Sequence, residues 1–220
     1  MRATDAPTAP AAAAAPPAGG PRPGGDHRAA TTARPVALPD PPLLDRDAGV
    51  VLRPWAPTTG DVAALVAAWT EPVLAAANGV PDVVSAAAAA RWIRGDARRR
   101  AAGTCLDLVI GRAGGDGTGL GEAGLRNIDP QRRRAEISWW VGAEHRGQGV
   151  AVAAARLLAG WALSAPGDLD QVWARIDPAN TSSARVATAA GLTALGPAGS
   201  TVVWARTRAP TAPPTARPSR

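Results

Sequence analysis

Apolar and polar positions alternate from Glu136 to Val141, with Ile137, Trp139 and Val141 on one side and Glu136, Ser138 and Trp140 on the other. A two-residue period of this kind predicts a half-buried strand. After Gly142 the apolar content falls for a short turn, and Arg146-Gly-Gln-Gly-Val-Ala151 then leads into Val152–Leu163. That segment is rich in Ala and Leu and lacks Pro, so it predicts a helix. The same reading places a strand at Gly49–Trp55, followed by a helix capped by Thr58/Thr59 and Asp61, running to Trp69 with Leu65, Val66 and Trp69 turned inward. Thr70–Val73 opens a short helix that Asn78-Gly79 should stop, and Ser85 opens a third, from Ala86 to about Arg99. Thr104–Arg112 and Gly119–Ile128 predict a hairpin about Ala113–Thr118, and the turn Asp129–Arg134 leads into the Glu136 strand. Beyond the central helix come a strand at Gln171–Asp177, a helix from Asn180 to Gly191, and a closing hairpin of Leu192–Leu195 with Ser200–Arg206.

The two ends lack this periodicity. Residues 1–45 are dominated by Pro, Ala, Gly and Thr, with four Arg balancing four Asp, and about 207–220 is again Pro/Ala/Thr/Arg. Neither end can bury enough apolar surface to offset the entropy of ordering, so both are expected to be disordered around one domain at 46–206. Asp5 and the prolines interrupt any signal-peptide core, and no stretch is long and apolar enough to span a membrane, so a cytoplasmic protein is expected. The single Cys and two His exclude an intramolecular disulfide and argue against a zinc site. The net charge of +6 is carried partly by the ends. The runs Arg98–Arg100 and Arg132–Arg134 read as a solvated helix end and a hairpin turn, with a polyanion or phosphate contact as the alternative.

A strand that passes through a Gly-rich turn into a helix presents unpaired N–H groups and the positive end of the helix dipole, which is an anion site. The turn has no Gly-Lys-Ser/Thr ending, and every basic residue in the chain is Arg, so a P-loop nucleotide hydrolase is excluded. Gly119-Leu-Gly-Glu-Ala-Gly124 satisfies the dinucleotide pattern G-x-G-x-x-G. It runs on into Asn127, Asp129 and Pro130 with no helix, so it is read as a hairpin. By itself the Arg146–Ala151 turn also suits an ordinary strand-to-helix connection.

The spacing Arg146-x-x-Gly149-x-Ala151 resembles the coenzyme A signature of the GNAT N-acetyltransferase superfamily. Thr70-Glu-Pro-Val73, then Gly79-Val-Pro81, Ser85 and Arg91-Trp-Ile93 resemble the ribosomal-protein N-terminal (alanine/serine) acetyltransferase branch. Asn180-x-x-Ser183 resembles the helix start of the same branch, with Leu192 where that branch has Phe. The resemblance spans about Val51 to Arg206. It implies an α/β GNAT fold: a mixed, mostly antiparallel sheet of six to seven strands, splayed between the fourth and fifth and flanked by helices.

The resemblance also implies acetyl-CoA as co-substrate, with no metal. The contacts it implies are Trp139, Trp140 and Val141 for the pantetheine arm, Arg146, Gly147, Gln148, Gly149, Val150 and Ala151 for the pyrophosphate, and Asn180 and Ser183 nearby. Direct attack of an amine on a thioester needs a neutral amine, an oxyanion donor and a proton for the leaving thiolate. A backbone N–H near Val141 is the implied oxyanion donor, and Ser183 is the candidate acid because the chain has no Tyr. Glu136 is the first candidate for the base and Glu122 the second. The acceptor is a protein N-terminus or a small-molecule amine, and the protein a monomer or a homodimer. Two other classes stand beside this reading: a GNAT-fold protein that binds acyl-CoA without catalysis, and an Arg-rich nucleic-acid binder, for which no aromatic platform or recognition motif appears.

Overall fold

The computed structural model describes residues 35–40, 42–77 and 80–209. Their organising element is one sheet of eight strands: β1 (Leu43–Asp45), β2 (Val50–Pro54), β3 (Cys105–Arg112), β4 (Gly119–Asp129), β5 (Arg134–Val141), β6 (Gln171–Ile176), β7 (Thr193–Ala198) and β8 (Thr201–Thr207). The spatial order is β1-β2-β3-β4-β5-β6-β8-β7. Every ladder is antiparallel except β5–β6, which is parallel and three residue pairs long, ending at Glu136↔Trp173. The expected alternation in β5 divides the two faces. Ile137, Trp139 and Val141 join the larger core beneath α5 (Val150–Ala162), whereas Trp140 joins a smaller core with Trp55, Leu65, Trp69 and Ile93 beneath the N-terminal helices.

The central helix α5 is mostly Ala on its buried side (Ala153, Ala154, Ala155, Ala159 and Ala162), around the fully buried Leu158. Small side chains let it lie close to the sheet, and the larger residues it meets come from the strands. Close approach is also what Gly121 permits. A Cβ there would stand 2.2 Å from the Trp140 carbonyl oxygen, so any side chain would force β4 away from β5.

The N-terminal helices follow their predicted caps with one difference. Helix α1 (Thr59–Thr70) is capped by Thr58, whose Oγ1 accepts from the Asp61 N–H at 3.2 Å. The Asp61 side chain is no cap. Fully buried, it takes a two-pronged ion pair from Arg53 at 2.7 Å and a 3.0 Å hydrogen bond from the Ala56 N–H, tying β2 to α1. Helix α2 (Pro72–Ala77) starts where expected, while the predicted stop at Asn78-Gly79 lies outside the described residues. The single helix expected from Ala86 to about Arg99 is two, α3 (Ala86–Arg94) and α4 (Asp96–Ala101), separated by Gly95. Glycine is a poor helix former, and the turn also directs Asp96 and Arg99 inward.

Contacts with the sheet and core continue outside residues 46–206. Val36, Leu38 and Leu43 pack on the main core, the Val36 N–H donates to the Arg100 carbonyl at 2.9 Å, and Leu43–Asp45 pairs with β2 as an eighth strand. The sparse apolar residues among these prolines are spaced to follow an existing sheet edge, a tertiary gain that local periodicity does not register. At the other end Arg208 donates from its backbone to the Asp170 carbonyl and from its guanidinium to the Leu169 carbonyl. The expected disorder of residues 1–34 and 210–220 lies outside the described residues. Helix α6 (Thr181–Ala189) and the β7–β8 hairpin otherwise follow the prediction.

Removing the buried Asp61 carboxylate leaves the Arg53 guanidinium without its partner. Asp61→Ala is expected to lower stability by about 3 kcal/mol, read as a lower urea midpoint at unchanged slope.

Candidate active site

Where β5 leaves β6, a cleft opens. Pairing stops at Glu136↔Trp173, yet β5 runs five residues further and β6 stays paired with β8 as far as Ile176. Helix α6 begins beyond β6, and the α5 turn closes the far side. The resulting cleft, about 380 Å³, is lined by Trp139, Trp140 and Val141 from β5, by Arg146, Gly147, Gly149, Val150 and Ala151 from the turn, and by Ser183 from α6. Nine of the expected cofactor contacts therefore meet in one place. A larger cavity of about 550 Å³, under Trp161 by the β4–β5 turn, contains none of them.

At the turn, Gly149 is the N-cap of α5 with φ 75° and no side-chain cap, and Gly147 has φ 74°. An L side chain is strained at such angles, by roughly 1–2 kcal/mol. A Cβ at Gly149 would meet nothing within 4 Å, so the chain itself does not fill the space in front of the helix. The N–H groups of the first turn of α5 have no intrahelical partners and are free to meet an anion.

Two turn residues are also bound within the protein. The Arg146 guanidinium is engaged by the protein: Nε donates to the Val141 carbonyl at 3.0 Å and the outer nitrogen binds Glu71 at the start of α2. Gln148 is outside the cleft lining, accepting from Arg112 and donating to the Glu144 carbonyl at 3.0 Å. Asn180 also does not line the cleft. It caps α6 by accepting from the Ser183 N–H at 3.0 Å and so orients the helix that brings in Ser183, which is itself buried. His145 also lines the cleft, as do Val152, Ser182, Arg185 and Val186. Arg185 follows Ser183 at a spacing that could have marked it, as a cation one turn along a helix opening on an anion site. Its signal was lost among 24 basic residues.

The two carboxylates lie on the α1–α4 face of the sheet. Glu122 is opposite Trp140 in the β4–β5 ladder, and Glu136 is opposite Arg126. Both are buried. Glu136 takes a 2.5 Å hydrogen bond from Asn127 and two 3.3 Å contacts from Arg175, and it stands four residues, ~13 Å of strand, from Trp140. Glu122 takes a 3.1 Å hydrogen bond from Trp55 Nε1 and a 3.2 Å ion pair from Arg126. Burial, and after it the nearby Asp107 carboxylate, pushes the Glu122 carboxyl up to about 7 against the pull of Arg126 and Trp55.

The expected solvated Arg runs separate in the same region. Arg98 is exposed, whereas Arg99 lies 4.1 Å over the Trp92 ring and reaches Asp107, and Arg100 binds Asp96 at 2.9 Å. In the other run, Arg132 and Arg133 pair with Asp129, Asp168 and Asp170. Among the described residues no group of His, Cys, Asp and Glu is arranged to hold a metal ion, and no helix is long and apolar enough to cross a membrane.

A parallel pair of strands that separates beside an open helix N-terminus defines an α/β protein built to take an elongated anionic ligand. Residues 50–193 match the acetyltransferase (GNAT) domain model, and the chain belongs to that family and is an N-acetyltransferase. No curated protein matches the chain. Among solved structures it is similar to an acetyltransferase of Agrobacterium tumefaciens at 24% identity and TM-score 0.57, covering 77% of this chain and 96% of that one. It is also similar to an acetyltransferase of Salmonella typhimurium that modifies the N-terminal serine of a 50S ribosomal subunit protein, at 17% identity and TM-score 0.57, covering 72% and 95%. A microcin self-immunity acetyltransferase in complex with acetyl-CoA and AMP matches at 16% identity and TM-score 0.57, covering 72% and 92%. At these identities the likeness concerns the fold.

A carboxyl whose folded value lies above its ordinary 4.5 binds its proton more tightly folded than unfolded. Its contribution to stability is therefore greatest below about 4.5 and is lost as pH rises to about 7. Glu122→Gln is expected to remove that part of the fall in stability, measured as urea midpoints from pH 4.5 to 8.

Proposed function

We propose that this chain transfers an acetyl group from acetyl-CoA directly to a primary amine, either a protein N-terminus or a small-molecule amine. The observation that carries this reading is the β5–β6 gap ending on the uncapped, glycine-led N-terminus of α5. The donor set suits the cofactor: backbone N–H groups at Gly149–Val152 for the pyrophosphate, an unpaired β5 edge for the amide-bearing pantetheine arm, and Arg185 and His145 at the cleft wall for further phosphate charge. Acetyl-CoA supplies an activated thioester carbonyl, and the chain's residues supply position and proton transfer.

Glu122 is the better candidate for the base. It stands beside Trp140, which lines the cleft, and its carboxyl titrates near neutral pH, so it is both able to take a proton from an ammonium and to return it. Because its side chain is buried, the proton passes through a water or through rearrangement of Trp55. Glu136 is farther along the strand and committed to Arg175 and Asn127, which suits a brace between β5 and β6. Ser183 at the start of α6 is the proposed proton donor to the leaving thiolate, with Asn180 holding it in place through the α6 cap. Arg146 lines the cleft while linking the β5 end to α2, and Gln148 supports the turn from outside by linking it to β3. A protein N-terminus gains support from the motif resemblance in the α1–α3 region and from likeness to ribosomal-protein acetyltransferases. We extend the same reading to a soluble domain of about residues 35–209.

Calorimetric titration with acetyl-CoA tests the cofactor site. Wild type is expected to bind and Gly149→Glu to lose binding by at least tenfold, since the new carboxylate occupies the anion position. Wild type that binds neither acetyl-CoA nor CoA rejects the reading. In a thiol-release assay with amine and peptide acceptors, Glu122→Gln is expected to lower kcat by about a hundredfold with little change in acetyl-CoA affinity, and Glu136→Gln to act mainly on stability.

A further inference from the structure

Behind Glu122 the α1–α4 face of the sheet holds a line of alternating charges that the acetyl-transfer reading leaves unexplained. Arg100 pairs with Asp96, Arg99 lies between Asp96 and Asp107 at 3.8 and 3.5 Å, and Arg126 lies between Asp107 and Glu122 at 3.8 and 3.2 Å. Asp96, Asp107 and Glu122 are all at least nine-tenths buried. The cross-strand register makes this possible: Asp107 is opposite Gly124 and Glu122 opposite Val109, so the two carboxylates point from adjacent strands toward the same Arg126 side chain. Gly124 has no side chain to separate them.

The contacts of Arg126 are incomplete in a specific way. An arginine alone with a buried carboxylate closes on it with two parallel bonds of about 2.7–2.9 Å. Arg126 instead makes one 3.2 Å contact with Glu122, and its Nε is buried with no hydrogen-bond partner. Asp107 Oδ1 on the other side also lacks one, while Oδ2 accepts from the Cys105 thiol at 3.1 Å. The guanidinium is thus divided between two anions and saturates neither.

Resting on the assignment of Glu122 as the base, we propose that Asp107 is a positioning residue: by competing for the Arg126 guanidinium it keeps Glu122 only partly paired and able to accept a proton. Without Asp107, Arg126 would close onto Glu122 and hold it as a strongly paired carboxylate, a poor base. Asp107 also pushes the Glu122 carboxyl upward directly, as a nearby like charge. The groups facing Glu122 are few. Trp55 Nε1 donates from the loop after β2, Asp107 and Cys105 come from β3, Arg126 from its own strand and Trp140 from β5, where Glu136 is the next acid. Arg99 reaches Asp107 from α4 with Asp96 behind it. Cys105, its thiol pushed up to about 12 mainly by burial, stays protonated and acts only as a donor to Asp107.

The test is titration of the Glu122 carboxyl by carbon NMR in the full chain, together with the pH profile of kcat/KM. In Asp107→Asn the Glu122 midpoint is expected to fall by about one pH unit, and the acid limb of kcat/KM to move down with it. Cys105→Ala, which keeps the Asp107 charge, should leave both in place. An unchanged Glu122 midpoint in Asp107→Asn overturns the proposal, as does an equal fall in Cys105→Ala. Should Asp107→Asn not fold, the wild-type titration decides: the proposal requires the Asp107 carboxyl signal to move as Glu122 ionises, and a silent Asp107 signal overturns it. If the midpoint falls as expected but Glu122→Gln keeps the acid limb, the coupling stands and the assignment of Glu122 as base is what fails.

Discussion

The early end of the β5–β6 ladder is the constraint on which the rest of this structure depends. Two parallel strands that paired along their full length would satisfy each other's backbone and leave no room between them. Here pairing stops after three residue pairs, and β5 continues with one edge open. Such an edge is tolerable in an interior only if something else meets its N–H and C=O groups. A ligand that carries amides of its own can do so. The antiparallel ladders on both sides, β3–β4–β5 and β6–β8–β7, keep the halves of the sheet stiff enough for the gap to persist.

The gap also sets which side chains matter. The turn at its mouth must bring backbone N–H groups forward, so Gly147 and Gly149 adopt left-handed angles and α5 starts without a capping side chain. The far wall must come from α6, and Asn180 fixes where that helix begins. On the other face, the residue next to the gap on β4 is Glu122, held between Trp55, Trp140 and Arg126. In the proposed reading the cofactor and the Ser183 donor lie on the α5–α6 face and the Glu122 base on the α1–α4 face, with β5 as the partition. Arg146 joins the β5 carbonyl at Val141 to Glu71 at the start of α2.

Electrostatics on the α1–α4 face follow from burial more than from net charge. The chain is basic overall, yet several arginines of this face are committed to acids: Arg53 to Asp61, Arg99 and Arg100 to Asp96, Arg126 to Glu122, Arg175 to Glu136. The competition for Arg126 has an effect only because water is excluded, since an exposed pair at the same distances would be screened to insignificance.

Much of this was legible in the chain itself. Period-two alternation marked β5 and assigned its two faces correctly, down to Trp139 and Trp140 pointing to opposite sides, because side-chain direction in a strand is a local property. Caps at Thr58, Ser85 and Asn180 were legible for the same reason: they satisfy N–H groups two or three residues away. The glycine turn carried its own conformational requirement. Other features were decided only by tertiary structure. The strand Leu43–Asp45 exists because an edge of β2 was there to receive it. What Arg146 and Gln148 bind within the protein was decided by Glu71 and Arg112, distant in sequence. The surroundings of the two acids turned on register, since only the β4–β5 pairing puts Glu122 beside Trp140 and leaves Glu136 with Arg175. Local geometry needs a few neighbouring residues to specify it; the surroundings of a buried charge are contributed by strands far apart in the chain, and they become defined only when the sheet forms.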